Sequence, residues 1–326
     1  MIPVMEFQGE RVAVFGLGRS GLSAVRALVA GGAEVLAGDD RADSLAEAER
    51  LGAQPTDLPA AEWQDIRALV LSPGVPLTHP EPHPVVKAAK AAGVEILCDV
   101  PLMAAAMRSR GPRIVGITGT NGKSTTTALL GPLLQQAGRS VQVGGNIGAP
   151  VLDLEPLAGD GAYVIEMSSY QLDLARGMVF DVAALLNLSP DHLDRHGGMD
   201  GYVAAKRHIF DGQGPACSAV IAVDDQLTAA IFDDLASHGA QRLIPVSTRG
   251  PVEGGIYVAD GALHDALDGE ARRIASLSGI DSLAGDHNRQ NAAVAYAIAR
   301  ALGLTPDEAA AGLAGYPGLA HRMEAC

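Results

Sequence analysis

Apolar residues fall into short unbroken runs along the chain, and these runs set the order of elements. Arg11-Val-Ala-Val-Phe-Gly-Leu-Gly18 reads as a buried strand entering a turn, followed by a helix over about 20–30 that Gly31-Gly32 closes. Glu34–Ala37, Ala68–Ser72 and Val94–Cys98 are further strand-like runs, with a helix over about 84–92 ended by Gly93. Runs without polar alternation suit parallel strands covered on both faces. A helix over about 101–109 leads through Gly111-Pro112, where the domain boundary is expected.

Beyond that boundary the pattern resumes with Ile114–Ile117, a short strand, and a helix opening at Ser124. Gly131-Pro132 lies inside this helix and is expected to kink or shorten it. Val141–Val143, Tyr163–Met167 and Val182–Leu188 read as strands, each ending in a polar cluster. Parallel strands would carry those clusters to one rim. A helix (about 199–211), a strand (Ala219–Val223), a helix (about 226–238) and a strand (Leu243–Val246) follow. Short alternating runs around Asp260-Gly261 and Asp268-Gly269 within 255–277 read as antiparallel hairpins. Gly285-Asp286-His287-Asn288 caps a helix over about 288–302, and a last short helix begins after Pro306.

Two glycine turns carry the chemistry. Gly16-x-Gly18-x-x-Gly21 matches the dinucleotide fingerprint, and Asp39-Asp40-Arg41 follows the second strand where that fingerprint expects an acid for a ribose. Taken alone, this pattern indicates an NAD-dependent dehydrogenase. The second turn, Gly116-Ile-Thr-Gly-Thr-Asn-Gly-Lys-Ser124, points elsewhere. A strand, a glycine-rich loop and a helix opening with Lys-Ser hold a triphosphate on backbone N–H groups and the helix N-terminus. Lys123 would lie along the β- and γ-phosphates, and the Ser124 hydroxyl would ligate Mg²⁺. The strict pattern wants glycine at 117, which is Ile; the glycine stands one place earlier, so the loop is a P-loop variant.

The expected fold is therefore α/β: a Rossmann-like domain over 1–111, then a P-loop ATP-binding domain over 112–326. The second domain is expected to have a largely parallel sheet and a small antiparallel hairpin region. The length of 326 residues suits two domains, and 48% apolar residues supply their cores. A formal charge of −14 with no Lys/Arg-rich run argues against nucleic acid as a partner. Cys98, Cys217 and Cys326 are far apart and odd in number, with no C-x-x-C, which suits a reducing cytoplasm. No signal-peptide pattern and no run long enough to span a bilayer is present, so no membrane insertion is expected. The chain is expected to be a monomer.

The polar clusters supply candidate ligands. Glu166 ends a strand near the proposed phosphates, where a Mg²⁺ role or plain solvation both fit. Ser168, Ser169 and Gln171 offer hydroxyls and an amide to a polar substrate, or cap a helix. Asp191, His192 and Asp194 form an acid–histidine–acid group that fits a metal, a substrate or a structural role. Lys206 sits among alanines on a helix, and sequence alone does not select it. Asn288 and Asn291 share one helix face and suit either an adenine ring or the cap.

Together these clusters resemble the Mur ligase family. The matching pieces are the Gly116–Ser124 loop, Gly145-Asn-Ile-Gly148, Glu166-Met-Ser-Ser-Tyr-Gln171, Asn187-Leu-Ser-Pro-Asp-His-Leu-Asp-Arg195, Tyr202-x-x-x-Lys206, His287-Asn-x-x-Asn291 and His321-Arg-Met-Glu324. Gly16-Leu-Gly-Arg-Ser-Gly21, Asp39-Asp-Arg41 and Ser72-Pro-Gly74 resemble the members that add D-glutamate to UDP-N-acetylmuramoyl-L-alanine.

The resemblance implies a peptidoglycan-precursor ligase that uses ATP and Mg²⁺. ATP would phosphorylate the alanyl carboxylate, and the amine of D-glutamate would attack the acyl phosphate. It implies Lys123, His192 and Lys206 as catalytic residues, with Lys206 carbamylated. Ser124, Glu166, His192 and Lys206 would hold metal. Gly119, Thr120, Asn121, Gly122, Lys123, Ser124, Thr125, Asn288, Asn291 and Arg322 would hold ATP. Ser20, Asp39, Asp40, Arg41, Ser72, Pro73 and Gly74 would hold the UDP part, and Asn146, Ser168, Gln171 and His192 would face the muramoyl-alanyl end. Another Mur ligase, a folylpolyglutamate synthetase or a non-catalytic nucleotide-binding module are the alternatives. The family carries a third domain after His-Arg-x-Glu, so this chain is expected to bind its ligands yet be catalytically incomplete.

Overall fold

The structure, a computed structural model, describes residues 1–277 and 285–314. Two sheets organise them. The first is built from β1 (Arg11–Phe15), β2 (Glu34–Gly38), β3 (Gln54–Pro55), β4 (Ile66–Leu71) and β5 (Glu95–Leu97), all parallel, in the order β3-β2-β1-β4-β5. Its helices are α1 (Arg19–Ala30), α2 (Ala42–Arg50), α3 (Pro84–Ala91) and α4 (Asp99–Met107). The order reverses at β1, and the crevice between β1 and β4 is where such sheets bind ligands. Gly16 and Gly21 make the turn there possible. Gly16 has φ +86°, and a Cβ on it would meet the Ser72 Cβ at 2.6 Å; a Cβ on Gly21 would meet the Gly16 carbonyl at 2.0 Å.

The second sheet begins with β6 (Arg113–Thr118), which leads into α5 (Lys123–Gln136). Next come β7 (Val141–Gly145), β8 (Ala162–Glu166), α6 (Ser169–Leu174), β9 (Val182–Leu185), α7 (Leu193–His196) and α8 (Met199–Arg207). Then follow β10 (Ser218–Ala222), α9 (Gln226–His238), β11 (Arg242–Ser247), β12 (Ile256–Ala259), β13 (Ala262–Asp265), β14 (Arg272–Ser276), α10 (Asp286–Ala301) and α11 (Pro306–Ala314). The strand order is β14-β13-β12-β11-β10-β9-β6-β8-β7. Strands from β7 to β12 run parallel, and β12-β13-β14 form the antiparallel end. The polar ends of β7, β8 and β9 therefore share the rim of the loop after β6, as the apolar runs implied.

Some expectations need correction. α5 does not stop at Gly131-Pro132 but runs on to Gln136. Leu129, Leu130, Leu133 and Leu134 are buried on both sides of the proline, and α10 and α11 pack against the helix. That burial, roughly 2 kcal/mol for each full leucine side chain, outweighs one lost helical hydrogen bond. α10 starts at Asp286, capped by Gly285, rather than at Asn288. α2, α6 and α7 had no counterpart in the apolar pattern; each is short, and α2 buries only Ser44 and Ala48.

The two sheets share one apolar core that runs from Ile2 to Ile231. Polar contacts reinforce the seam. Asp153 accepts from Ser23 Oγ at 2.8 Å and from Arg26 at 2.9 Å, and Ile2 N donates to the Leu152 carbonyl at 2.7 Å. Among the described residues no helix is long and apolar enough to cross a membrane.

Candidate functional site

The loop after β6 folds around its own lysine. Gly122 caps α5 at φ +85°, and Lys123 Nζ donates to the carbonyls of Gly119 and Thr120, 2.9 Å each. Neighbouring elements hold the loop. Thr120 N donates to the Asn187 carbonyl, its Oγ1 lies 3.0 Å from the Tyr202 hydroxyl, and Asn121 N donates to Asn187 Oδ1 at 2.8 Å. Asn291 is buried under the loop: Thr126 Oγ1 donates to its Oδ1, and a Cβ on Gly122 would meet that oxygen at 2.2 Å. Ser124 and Thr125 follow on the first helical turn, half-buried. Asn288 lies half-buried on the first turn of α10, and Arg322 lies outside the described residues. Asn187 and Gln290, hydrogen-bonded to each other at 3.4 Å, belong to this frame. Neither was singled out from sequence, because only the fold brings β9 and α10 to the loop.

Lys206 comes to the same loop. It is 2% exposed, and its Nζ donates to Thr118 Oγ1 at 3.2 Å and to the Gly119 carbonyl at 2.9 Å. Burial, then the neighbouring Lys123 charge, push its amine down to about 7, against the pull of Asp191 and Glu166. Glu166 is 1% exposed. Its Oε1 accepts from Asn146 Nδ2 at 2.8 Å, whereas its Oε2 is buried with no hydrogen-bond partner. A bare carboxylate oxygen beside a phosphate-type loop suits a hard cation, so the donors present fit Mg²⁺. His192 is placed differently. It stands in the left-handed region at φ 50°, with Nε2 3.5 Å from Asp191 Oδ2 and its ring against Tyr170. Among the described residues no three His, Cys, Asp or Glu side chains converge as a ready-made metal cluster.

A cavity of about 310 Å³ lies between the two sheets. Ser20, Ser72, Pro73 and Gly74 line it from the first sheet, and Asn146 and Gln171 from the second. Arg19, Gly145, Gly148 and Pro150 complete the wall, and Arg19 spans the cleft by donating to the Gly148 carbonyl. Arg19 was overlooked because it occupies a variable place of the G-x-G-x-x-G pattern.

Besides His192, four expected substrate residues stand off this wall. Asp39 spends its carboxylate on the amides of Leu17 and Arg41, so it fastens the first glycine turn. Asp40 is exposed, 3.6 Å from His83 Nε2, and Arg41 donates to Ser44. Ser168 caps α6 in a capping box with Gln171, the plainer of the two roles its residue type suggested.

Comparison with known proteins finds matches over both sheets. The Mur ligase middle domain family matches residues 117–299, and the MurD-like N-terminal domain of Mur ligases matches residues 10–98. UDP-N-acetylmuramoylalanine–D-glutamate ligases from Caulobacter sp. (strain K31) and Phenylobacterium zucineum are each 52% identical over 328 residues. Those matches cover 99% of this chain and 70% of each relative's length. Among solved structures, the UDP-N-acetylmuramate:L-alanyl-gamma-D-glutamyl-meso-diaminopimelate ligase from Neisseria meningitides superposes with a TM-score of 0.59 at 21% identity. It covers 95% of this chain and 99% of that one. MurF from Acinetobacter baumannii gives 0.53 at 21% identity, covering 97% and 62%. At those identities the structural likeness bears on the fold alone.

Proposed function

This chain belongs to the Mur ligase family, an ATP-dependent amino-acid ligase of peptidoglycan precursor synthesis, and we propose that its two sheets divide the labour of joining D-glutamate to UDP-N-acetylmuramoyl-L-alanine. Residues 1–111 take the UDP end. Residues 112–326 take ATP and the alanyl carboxylate, in the cytoplasm where both nucleotides are available. One observation carries this reading: the lysine-centred loop and the inter-sheet cavity open on one rim, joined through Asn146, which lines the cavity and donates to Glu166.

The residues then have assigned work. The amides of Gly119–Gly122 and the N-terminus of α5 face the phosphates, with Ser124 and Thr125 on the first turn. Lys123 leaves its own loop carbonyls for the phosphoryl oxygens and offsets their charge as the alanyl carboxylate attacks phosphorus. Glu166, Ser124 and Lys206 would hold Mg²⁺, with His192 reaching the same cation after turning from Asp191. When bound, that ion polarises the transferred phosphoryl group. Lys206 with its depressed proton affinity is largely an uncharged amine in mildly alkaline solution. Such an amine adds CO₂ and loses a proton, giving a carbamate whose negative charge suits a cation. Ser20, Ser72, Pro73, Gly74, Asn146 and Gln171 hold the nucleotide-sugar. Asp39 acts behind them by fixing the glycine turn.

Calorimetric titration tests the reading. UDP-N-acetylmuramoyl-L-alanine should bind, and Asn146→Ala and Ser72→Trp should each weaken that binding. Equal affinity for UDP alone and for the alanyl nucleotide-sugar would contradict it.

A further inference from the structure

Ser169 and Asp173 stand four residues apart on α6, so they share one face of the helix, a turn apart. The His196 ring, carried by α7, meets both: its Nε2 is 2.9 Å from Ser169 Oγ and its Nδ1 is 3.2 Å from Asp173 Oδ2. The ring thus bridges the two, with Nε2 within hydrogen-bond distance of the Ser169 hydroxyl and Nδ1 facing the Asp173 carboxylate. Tyr170 stacks on the ring at 5.4 Å, and Tyr202 meets it edge-on at 5.6 Å. The His196 side chain is 2% exposed.

The residue types are those of a nucleophilic triad, but the placement rules that chemistry out. Ser169 is 2% exposed, stands at the first position of α6 and does not line the cavity. What the trio does is hold α6. A six-residue helix has no stability of its own and takes its position from its anchors. The capping box fixes its start; His196 fixes its flank over a full turn. Gln171, itself half of that capping box, stands between Ser169 and Asp173 and lines the cavity.

We propose that His196 is a positioning residue for the nucleotide-sugar: by clasping Ser169 and Asp173 it sets the wall of the cavity that Gln171 provides. The proposal rests on the functional reading above and adds a residue to it. His196 touches no substrate itself.

The test is calorimetry on the full chain with two ligands, UDP-N-acetylmuramoyl-L-alanine and a non-hydrolysable ATP analogue with Mg²⁺. In His196→Ala the Kd for the nucleotide-sugar should rise about tenfold, the size of effect that supporting partners of ligand-binding groups show. The Kd for the ATP analogue should change less than about threefold. His196→Gln, which can still donate to Asp173 and accept from Ser169, should recover most of the loss. Asp173→Asn, nearly isosteric, makes the same test if His196→Ala fails to fold. Unchanged nucleotide-sugar affinity in a folded variant overturns the proposal, and so does an equal loss for both ligands. A wild-type chain that binds no nucleotide-sugar overturns the functional reading, and the inference with it.

Discussion

Lys123 and Lys206 end on the same atom: the Nζ of each donates to the Gly119 carbonyl at 2.9 Å. Burial first, and then the charge of Lys123 on the shared acceptor, draw Lys206 down to about 7. Lys206 is therefore largely an uncharged amine, able to react, in mildly alkaline solution. In ¹³C-bicarbonate, wild-type protein should show a carbamate resonance that grows as pH rises through about 7. Lys206→Ala should abolish it. Lys123→Ala removes the second cause of the shift and should weaken the resonance at pH 7. An unchanged resonance in Lys206→Ala would assign it elsewhere.

Lys123→Ala separates the two sites. Its ammonium is bound within the loop, whereas the cavity lies at the seam and is lined by other residues. Calorimetry should show ATP binding lost and nucleotide-sugar binding retained within about threefold. Near-normal ATP affinity would contradict the loop's assignment.

Asp99 gives a prediction about stability and pH. Its carboxyl is raised from 3.8 to about 6, first by burial, with the Asp153 charge adding, and its Oδ1 has no hydrogen-bond partner. The folded state thus keeps a proton that the unfolded chain releases between pH 4 and 6. Stability from this group is fully present below the unfolded value and declines as pH rises through 6. Asp99→Asn should stabilise the fold at pH 7 by on the order of 2 kcal/mol, the gain fading below pH 4. A gain that does not vary with pH would show that ionisation is not the cause.

The glycine turns and the parallel strands were legible in the sequence because each is local. An apolar run needs cover on both faces, and Gly16, Gly21 and Gly122 stand where a Cβ would strike a side chain or backbone at 2.0 to 2.6 Å. Contacts made across the seam were not legible. Asp39 follows a strand as a ribose-binding acid would, yet it turns back to the Leu17 amide. Asn187 and Arg19 lie within sequence motifs and His196 just after one, yet all three gain their partners, 66, 129 and 23 to 27 residues away, from the fold alone. Lys206 looked like a solvated lysine among alanines until α8 was packed under the loop.

Arg19 offers a cation to the cavity from the first turn of α1. Arg19→Ala should raise the Kd for the nucleotide-sugar about tenfold, as loss of a charged hydrogen bond does, and flatten its dependence on salt. A salt dependence equal to that of wild type would remove Arg19 from the ligand.

On the proposed reading, this cleft activates the alanyl carboxylate by phosphorylation. The direct measurement uses UDP-N-acetylmuramoyl-L-alanine labelled with ¹⁸O in that carboxylate, incubated with ATP, Mg²⁺, D-glutamate and the full chain. Attack of the carboxylate on phosphorus, then of the amine on carbon, leaves one carboxylate oxygen in the phosphate released. Mass spectrometry should find one ¹⁸O in the phosphate that accompanies any glutamyl product formed. Unlabelled phosphate accompanying glutamyl product would contradict the account.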